Sequence, residues 1–236
     1  MSVIYLYPND MQLLFVSITL ITLLYLLLLF AMSMLIGQNF YIKAINRNNT
    51  SNVVLTFDDG PHPKYTLQIL DILDEYDVKA VFFMIGKNVK AHPSIAKEVA
   101  LRGHQIGVHS QNHSNNFGFT FGKKLKAEFE ECLASIESAT GLKTNLFRPP
   151  FGVTNPSIAR EVKRQNLITV GWDVRSYDTV TEDPDKILNR VMKKMDDKSI
   201  ILFHDKLDQT SVALPKIIEK IKGMGIAIGQ LSTIQN

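Results

Sequence analysis

The chain has 236 residues, a formal charge of +3, and 45% hydrophobic and 21% charged side chains. Those values suit an ordinary globular domain with an apolar addition. One cysteine, Cys132, excludes an intrachain disulfide, and without a basic stripe interleaved with aromatics nucleic acid is not an expected partner.

The apolar addition comes first. No charged residue lies between Asp10 and Lys43, and Leu13 to Gly37 is almost wholly apolar. A helix needs roughly 20 such residues to cross a bilayer, so residues 1–37 are expected to hold one transmembrane helix of a single-pass membrane protein. A signal peptide is the competing reading, with Ala31-Met32-Ser33 as its cleavage site. It would want a basic start and an apolar run of roughly 7–15 residues, whereas this chain has Asp10 and no Lys or Arg before Leu13. Lys43 and Arg47 follow the segment, which by the positive-inside rule puts the domain in the cytoplasm. Cell-surface polysaccharide chemistry would want the other face, and the sequence leaves the side open.

Residues 38–51 read as a tether and 52–236 as one catalytic domain. Apolar strand-like runs alternate with amphipathic helices there, which argues for a parallel sheet. Strands are expected at 53–57, 80–85, 105–108, 145–147, 168–171, 199–203 and 226–228. Helices are expected at 66–76, 93–102, 123–140, 155–165, 184–195 and 211–224. Asn155-Pro156 and Asp183-Pro184 each pair a cap with a first-turn proline, and Thr140-Gly141 and Met224-Gly225 mark stops. The expected fold is α/β, a distorted (β/α) barrel of about seven strands. Asp58, Asp59, His109, Arg148, Asp173 and His204 fall just after strands, at the edge where such barrels build active sites.

Asp59, His109 and His113 offer one oxygen and two nitrogen donors, a common catalytic zinc set that keeps a position open. The four-residue spacing of the histidines would place both on one face of a helical turn. Zinc is the expected divalent metal, with cobalt or another borderline ion also suited to these donors. Asp58, beside a ligand but free of the ion, is the candidate general base. His204 is the candidate general acid, with Asp205 a possible orienting group. In Arg148-Pro149-Pro150-Phe151-Gly152, the rigid loop offers the Phe151 N–H to a developing oxyanion, and Arg148 could hold Asp58 ionised. Trp172 reads either as a wall for a sugar ring or as a core aromatic. Cys132 reads as a small core residue, and His62, His92 and His104 as structural or exposed.

Thr56-Phe57-Asp58-Asp59-Gly60, His109-Ser110-x-x-His113, Arg148-Pro149-Pro150-Phe151 and Ile200-x-Leu202-x-His204 resemble, in order and spacing, motifs of the polysaccharide deacetylases, carbohydrate esterase family 4. The resemblance covers roughly residues 52–232. It implies a distorted barrel, a zinc-like ion, and removal of N- or O-acetyl groups from sugars such as N-acetylglucosamine. It also implies Asp58 as base, Asp59, His109 and His113 as ligands, Leu202 in an apolar pocket for the acetyl methyl, and His204 as acid. The fourth motif departs from the pattern: in Trp172-Asp173-Val174-Arg175-Ser176-Tyr177-Asp178-Thr179, Arg175 stands where an acid is frequent. Asp178 remains, and either it or Asp173 tethers Arg148, or the tuning of Asp58 is done differently. The expected substrate is an acetylated glycan or a lipid-linked amino sugar. The alternatives are an amidohydrolase of a non-sugar amide and a silent carbohydrate-binding protein.

Overall fold

The computed structural model describes residues 8–232. The first element, Pro8–Ser33 (α1), is a helix whose Asp10–Ser33 stretch is long and apolar enough to cross a membrane, a test that signal sequences also pass. Its leucines, isoleucines and phenylalanines are exposed apart from Leu29, which is half-buried. A helix apolar on every face has no side suited to water.

Eight strands follow: Ala44–Ile45 (β1), Val54–Asp58 (β2), Val81–Met84 (β3), Gln105–Val108 (β4), Leu146–Phe147 (β5), Ile168–Val170 (β6), Val174–Arg175 (β7) and Ile200–His204 (β8). Their order in the sheet is β1-β6-β5-β4-β3-β2-β8-β7, and every pairing is parallel. The helices are Tyr65–Glu75 (α2), Gly86–Ala91 (α3), Pro93–Leu101 (α4), Gly122–Thr140 (α5), Pro156–Arg164 (α6), Pro184–Lys194 (α7) and Asp208–Gly223 (α8). Asn155 and Asp183 cap α6 and α7 through their side chains, as expected from the sequence.

The sheet is a curled half-barrel. Side chains alternate along each strand. Leu55 and Phe57 of β2 therefore join the large core under the helices, with Phe82 and Met84 of β3. Val54, Val81 and Phe83 point the other way, into a smaller core inside the curl with Leu146, Val170 and Ile200. The two free edges approach each other at the bottom: Asn48 N–H donates to Lys198 O, and Arg47 pairs with Asp173 and Asp196.

Three expectations need correction here. Part of the stretch read as a tether is sheet, because Ala44 and Ile45 pair with Thr169 and Val170. The expected strand at 226–228 is only an isolated bridge between Val53 and Ile228. The short α3 and β7 were not expected, being too short for a periodicity to register. Cys132 is a buried core residue, as expected, and its thiol faces Met84 O at 3.5 Å.

Candidate active site

Asp58 ends β2, and the next residue turns sharply: Asp59 has φ 78°, in the left-handed region. The reversal leaves both carboxylates at the top of the curl, nearly fully buried. Of the eight non-glycine residues with positive φ among the described residues, Asp59, His113 and Phe151 all line one cleft. Strained backbone of this kind persists where the surroundings enforce it, typically at functional sites.

The cleft has a volume of about 250 Å³ and holds most of the residues singled out from the sequence. His109 follows β4. Its Nδ1–H donates to Arg148 O at 2.7 Å, since a carbonyl can only accept. That fixes the tautomer and leaves the Nε2 lone pair facing Asp59 Oδ1 at 3.5 Å. His113 Nε2 lies 3.2 Å from the same oxygen. One ligand atom from each of the three residues lies within 4.8 Å of the others.

The expected helical turn between the two histidines is absent. Ser110 and His113 have φ of 66° and 51°, and the segment is a loop closed by His113 N–H donating to Ser110 Oγ. Glu128 of α5 holds this loop from outside, accepting the Gln111 and Asn112 N–H groups and the Asn112 side-chain amide. Its distance along the chain hid this role. Gly86 is required beside the loop, because a Cβ there would stand 2.0 Å from Gln111 Oε1.

The donor set fits a divalent cation. Asp59 Oδ1 is buried with no hydrogen-bond partner, yet the Nε2 atoms of two imidazoles face it. Burial opposes the Asp59 charge, but His109, His204, His113 and Lys206 outweigh it and hold the pKa at about 2. Burial and the neighbouring His109 lower the pKa of His113, favouring the neutral form that ligates. Lys206 Nζ reaches the second Asp59 oxygen at 2.8 Å.

Asp58 is held differently. Arg148, fully buried inside the curl, donates from Nη1 to Asp58 Oδ1 at 2.9 Å and to Thr56 Oγ1 at 2.7 Å. Its Nε and Nη2 donate to Val170 O and Gly171 O, and the guanidinium stacks over Phe83. Four of the five guanidinium N–H groups are bonded, so Asp58 meets a fixed cation. Burial works against the Arg148 charge and Asp58 favours it; guanidinium keeps its proton under such opposition.

Neither Asp173 nor Asp178 tethers Arg148, which corrects the expectation. Asp173 accepts Ile200 N–H and Ser199 Oγ–H and pairs with Arg47 at the bottom of the sheet. Asp178 is fully buried under His204. Its Oδ1 lies 2.8 Å from His204 Nδ1, while Oδ2 accepts His204 N–H and Thr210 Oγ1–H. Burial alone would lower the pKa of His204. The hydrogen bond and charge of Asp178, with Asp58 and Asp59 behind, raise it instead. Asp205, considered as the orienting group, faces away and accepts Thr66 Oγ1–H at 2.6 Å. Burial pushes its carboxyl up to about 7.

The rim is formed by Phe151, Gly152, Trp172 and Leu202. Phe151 has φ 59° and packs edge-on to His113. Gly152 has φ 71°, and a Cβ there would lie 2.7 Å from Trp172 Cη2. Trp172 thus forms part of the cleft wall against a backbone that only glycine allows. His104 is buried against Phe82, while His62 and His92 lie outside the cleft.

The polysaccharide deacetylase family model matches residues 46–170. The chain belongs to the polysaccharide deacetylase family. A peptidoglycan-N-acetylglucosamine deacetylase of Bacillus cereus is 36% identical over 186 residues, covering 75% of this chain and 85% of that protein. The structure of peptidoglycan deacetylase PdaC from Bacillus subtilis superposes with a TM-score of 0.72 at 31% identity, covering 77% and 88% of the two chains. BA3943 of Bacillus anthracis, a CE4 family pseudoenzyme, matches with a TM-score of 0.72 at 30% identity, covering 79% of this chain and 66% of that one. The family comprises hydrolases of carbon–nitrogen bonds other than peptide bonds, and the chain falls in that class. A pseudoenzyme among the neighbours gives weight to the residues actually present here.

Proposed function

We propose that the protein is a metal-dependent deacetylase of an N-acetylated amino sugar in a cell-wall glycan or its membrane-bound form. The observation that carries this reading is the Asp59 oxygen without a hydrogen-bond partner facing the Nε2 atoms of two imidazoles, with a separately anchored carboxylate, Asp58, beside it.

Asp59, His109 and His113 would hold the ion, zinc or a similar divalent cation. Bound there, it would supply Lewis acidity toward the acetamide carbonyl and make water more acidic. Asp58 then accepts the proton of the attacking water as its oxygen bonds to the carbonyl carbon. Arg148 keeps that carboxylate in one orientation throughout. The Phe151 N–H donates to the oxygen that gains charge. His204, protonated and braced by Asp178, gives its proton to the amide nitrogen as the carbon–nitrogen bond breaks. Acetate and the free amine leave, and the proton on Asp58 returns to solvent or to His204. Leu202 provides an apolar surface for the acetyl methyl, and Trp172 a wall for the sugar ring. The helix α1 would anchor the domain to a membrane.

Acetate release from chitooligosaccharides or peptidoglycan fragments tests the reading. Turnover is expected to vanish with a chelator, to return with added zinc or cobalt, and to fall about 10²–10⁴-fold in Asp58→Asn. Turnover indifferent to both the chelator and the substitution would overturn it.

A further inference from the structure

Next to the cleft lies a second, larger cavity of about 740 Å³, and its lining is mostly apolar, with Ser33, Asn115, Asn155 and Ser157 the polar members. One wall is the end of α1, with Leu29 and Phe30. The opposite wall carries Phe119, Phe121 and Val153. Phe151 closes the end of the groove nearest the cleft and lines both spaces.

Two features make this more than a gap beside a helix. The end of α1 is bonded to the rim of the site: Thr154 N–H donates to Ser33 O at 2.8 Å, and Ser33 Oγ–H donates to Thr154 O at 2.6 Å. Ile36, just past the helix, packs against Gly152. The apolar helix and the catalytic rim therefore meet at a fixed joint. Second, Phe119 and Phe121 are 72% and 56% exposed. Exposed apolar area costs roughly 25 cal/mol per Å² against a buried state, and here it continues the bare apolar surface of α1. A groove that begins on a membrane-type helix and ends at a sugar-sized cleft matches a ligand with a hydrocarbon tail and a polar head. A wall polymer in water would have no use for it.

We propose that this groove holds the hydrocarbon chain of a lipid-linked amino sugar, whose acetamide lies in the adjoining cleft. The inference rests on the deacetylase reading above and names its substrate class. The chain would run from the bilayer along Leu29 and Phe30, between Phe119 and Val153, and reach Phe151. The sugar would then enter between Phe151 and Trp172.

The test uses the full-length protein in phosphatidylcholine vesicles and a polyprenyl-phosphate N-acetylglucosamine carrying a diazirine on its chain. On illumination, label is expected in peptides covering residues 115–121 and 151–157, and to be displaced by the unlabelled lipid-linked sugar. Label confined to α1, or equal labelling by a diazirine phosphatidylcholine without a sugar, would overturn the inference. In the double variant Phe119→Asp/Phe121→Asp, the ratio of kcat/KM for the lipid-linked sugar to that for chitooligosaccharide should fall about tenfold, equivalent to about 1.4 kcal/mol. An unchanged ratio would overturn the groove assignment. Photolabelling needs no turnover. Displaceable labelling without acetate release from either substrate would support the groove and sink the deacetylase reading. Acetate release without displaceable labelling would do the reverse.

Discussion

His109, at the end of β4, gives its Nδ1 proton to a neutral carbonyl, Arg148 O. His204, at the end of β8, faces a buried carboxylate, Asp178, through the same ring atom. The first arrangement leaves Nε2 as the ring atom turned to Asp59. The second stabilises the imidazolium, and the pKa of His204 is raised despite its burial. On the proposed function, two histidines at one end of the sheet are thus suited to opposite work, one to hold a cation and the other to hold a proton. What separates them is the partner at Nδ1, not the sequence around each ring.

The sharpest way to break the comparison is His204→Asn. On the proposed mechanism kcat should fall about 10²–10⁴-fold, while zinc affinity measured by calorimetry stays as in the parent protein. A parallel loss of zinc binding would mean that the two histidines are not separate devices. Next in size is Glu128→Ala, which frees the loop carrying His113. Outer partners that position ligands are worth about 10–100-fold in metal affinity, so zinc should bind more weakly by that factor, read by the same titration, with little effect on the pH profile.

Asp178→Asn tests the other half. His204 must be protonated to act, so kcat/KM falls as pH rises through its raised pKa. Without the hydrogen bond and charge of Asp178, two of the influences that raise that pKa are lost and it drops. The basic limb of the pH–rate profile should move to lower pH, and a limb that stays in place would assign it to another group. The smallest effect is expected from Gly152→Ala. Its φ of 71° and its contact with Trp172 disfavour any side chain, at a cost of somewhat more than about 1 kcal/mol, visible as a lowered urea midpoint.

Four of the candidate site residues were legible in the chain because each falls at or directly after the end of an apolar strand, where the polarity changes abruptly. Asp58, Asp59, His109 and His204 all have this signature. Their supports were not legible. Asp205, the next residue in the chain, is the natural partner for His204 by sequence distance, and only the fold turns the distant Asp178 beneath the ring and Asp205 toward Thr66. Arg148 was paired with Asp58 correctly, but its remaining donors go to backbone carbonyls, Val170 O and Gly171 O, which carry no residue signature. The ligand loop was misread as helical because a four-residue spacing is compatible with a helix. The positive φ at Ser110 and His113 depends instead on Glu128, far away in α5. β1 escaped notice for a related reason: two residues set among asparagines carry no alternation, and they become a strand only because β6 offers a free edge.

Diffraction from a crystal grown with zinc, recorded on both sides of the zinc absorption edge, addresses the central claim most directly. The account predicts one anomalous peak within coordination distance, about 2.0–2.2 Å, of Asp59 Oδ1, His109 Nε2 and His113 Nε2, with the Asp58 carboxylate still on Arg148. A peak elsewhere, or Asp58 drawn off Arg148 to become a ligand, would contradict it.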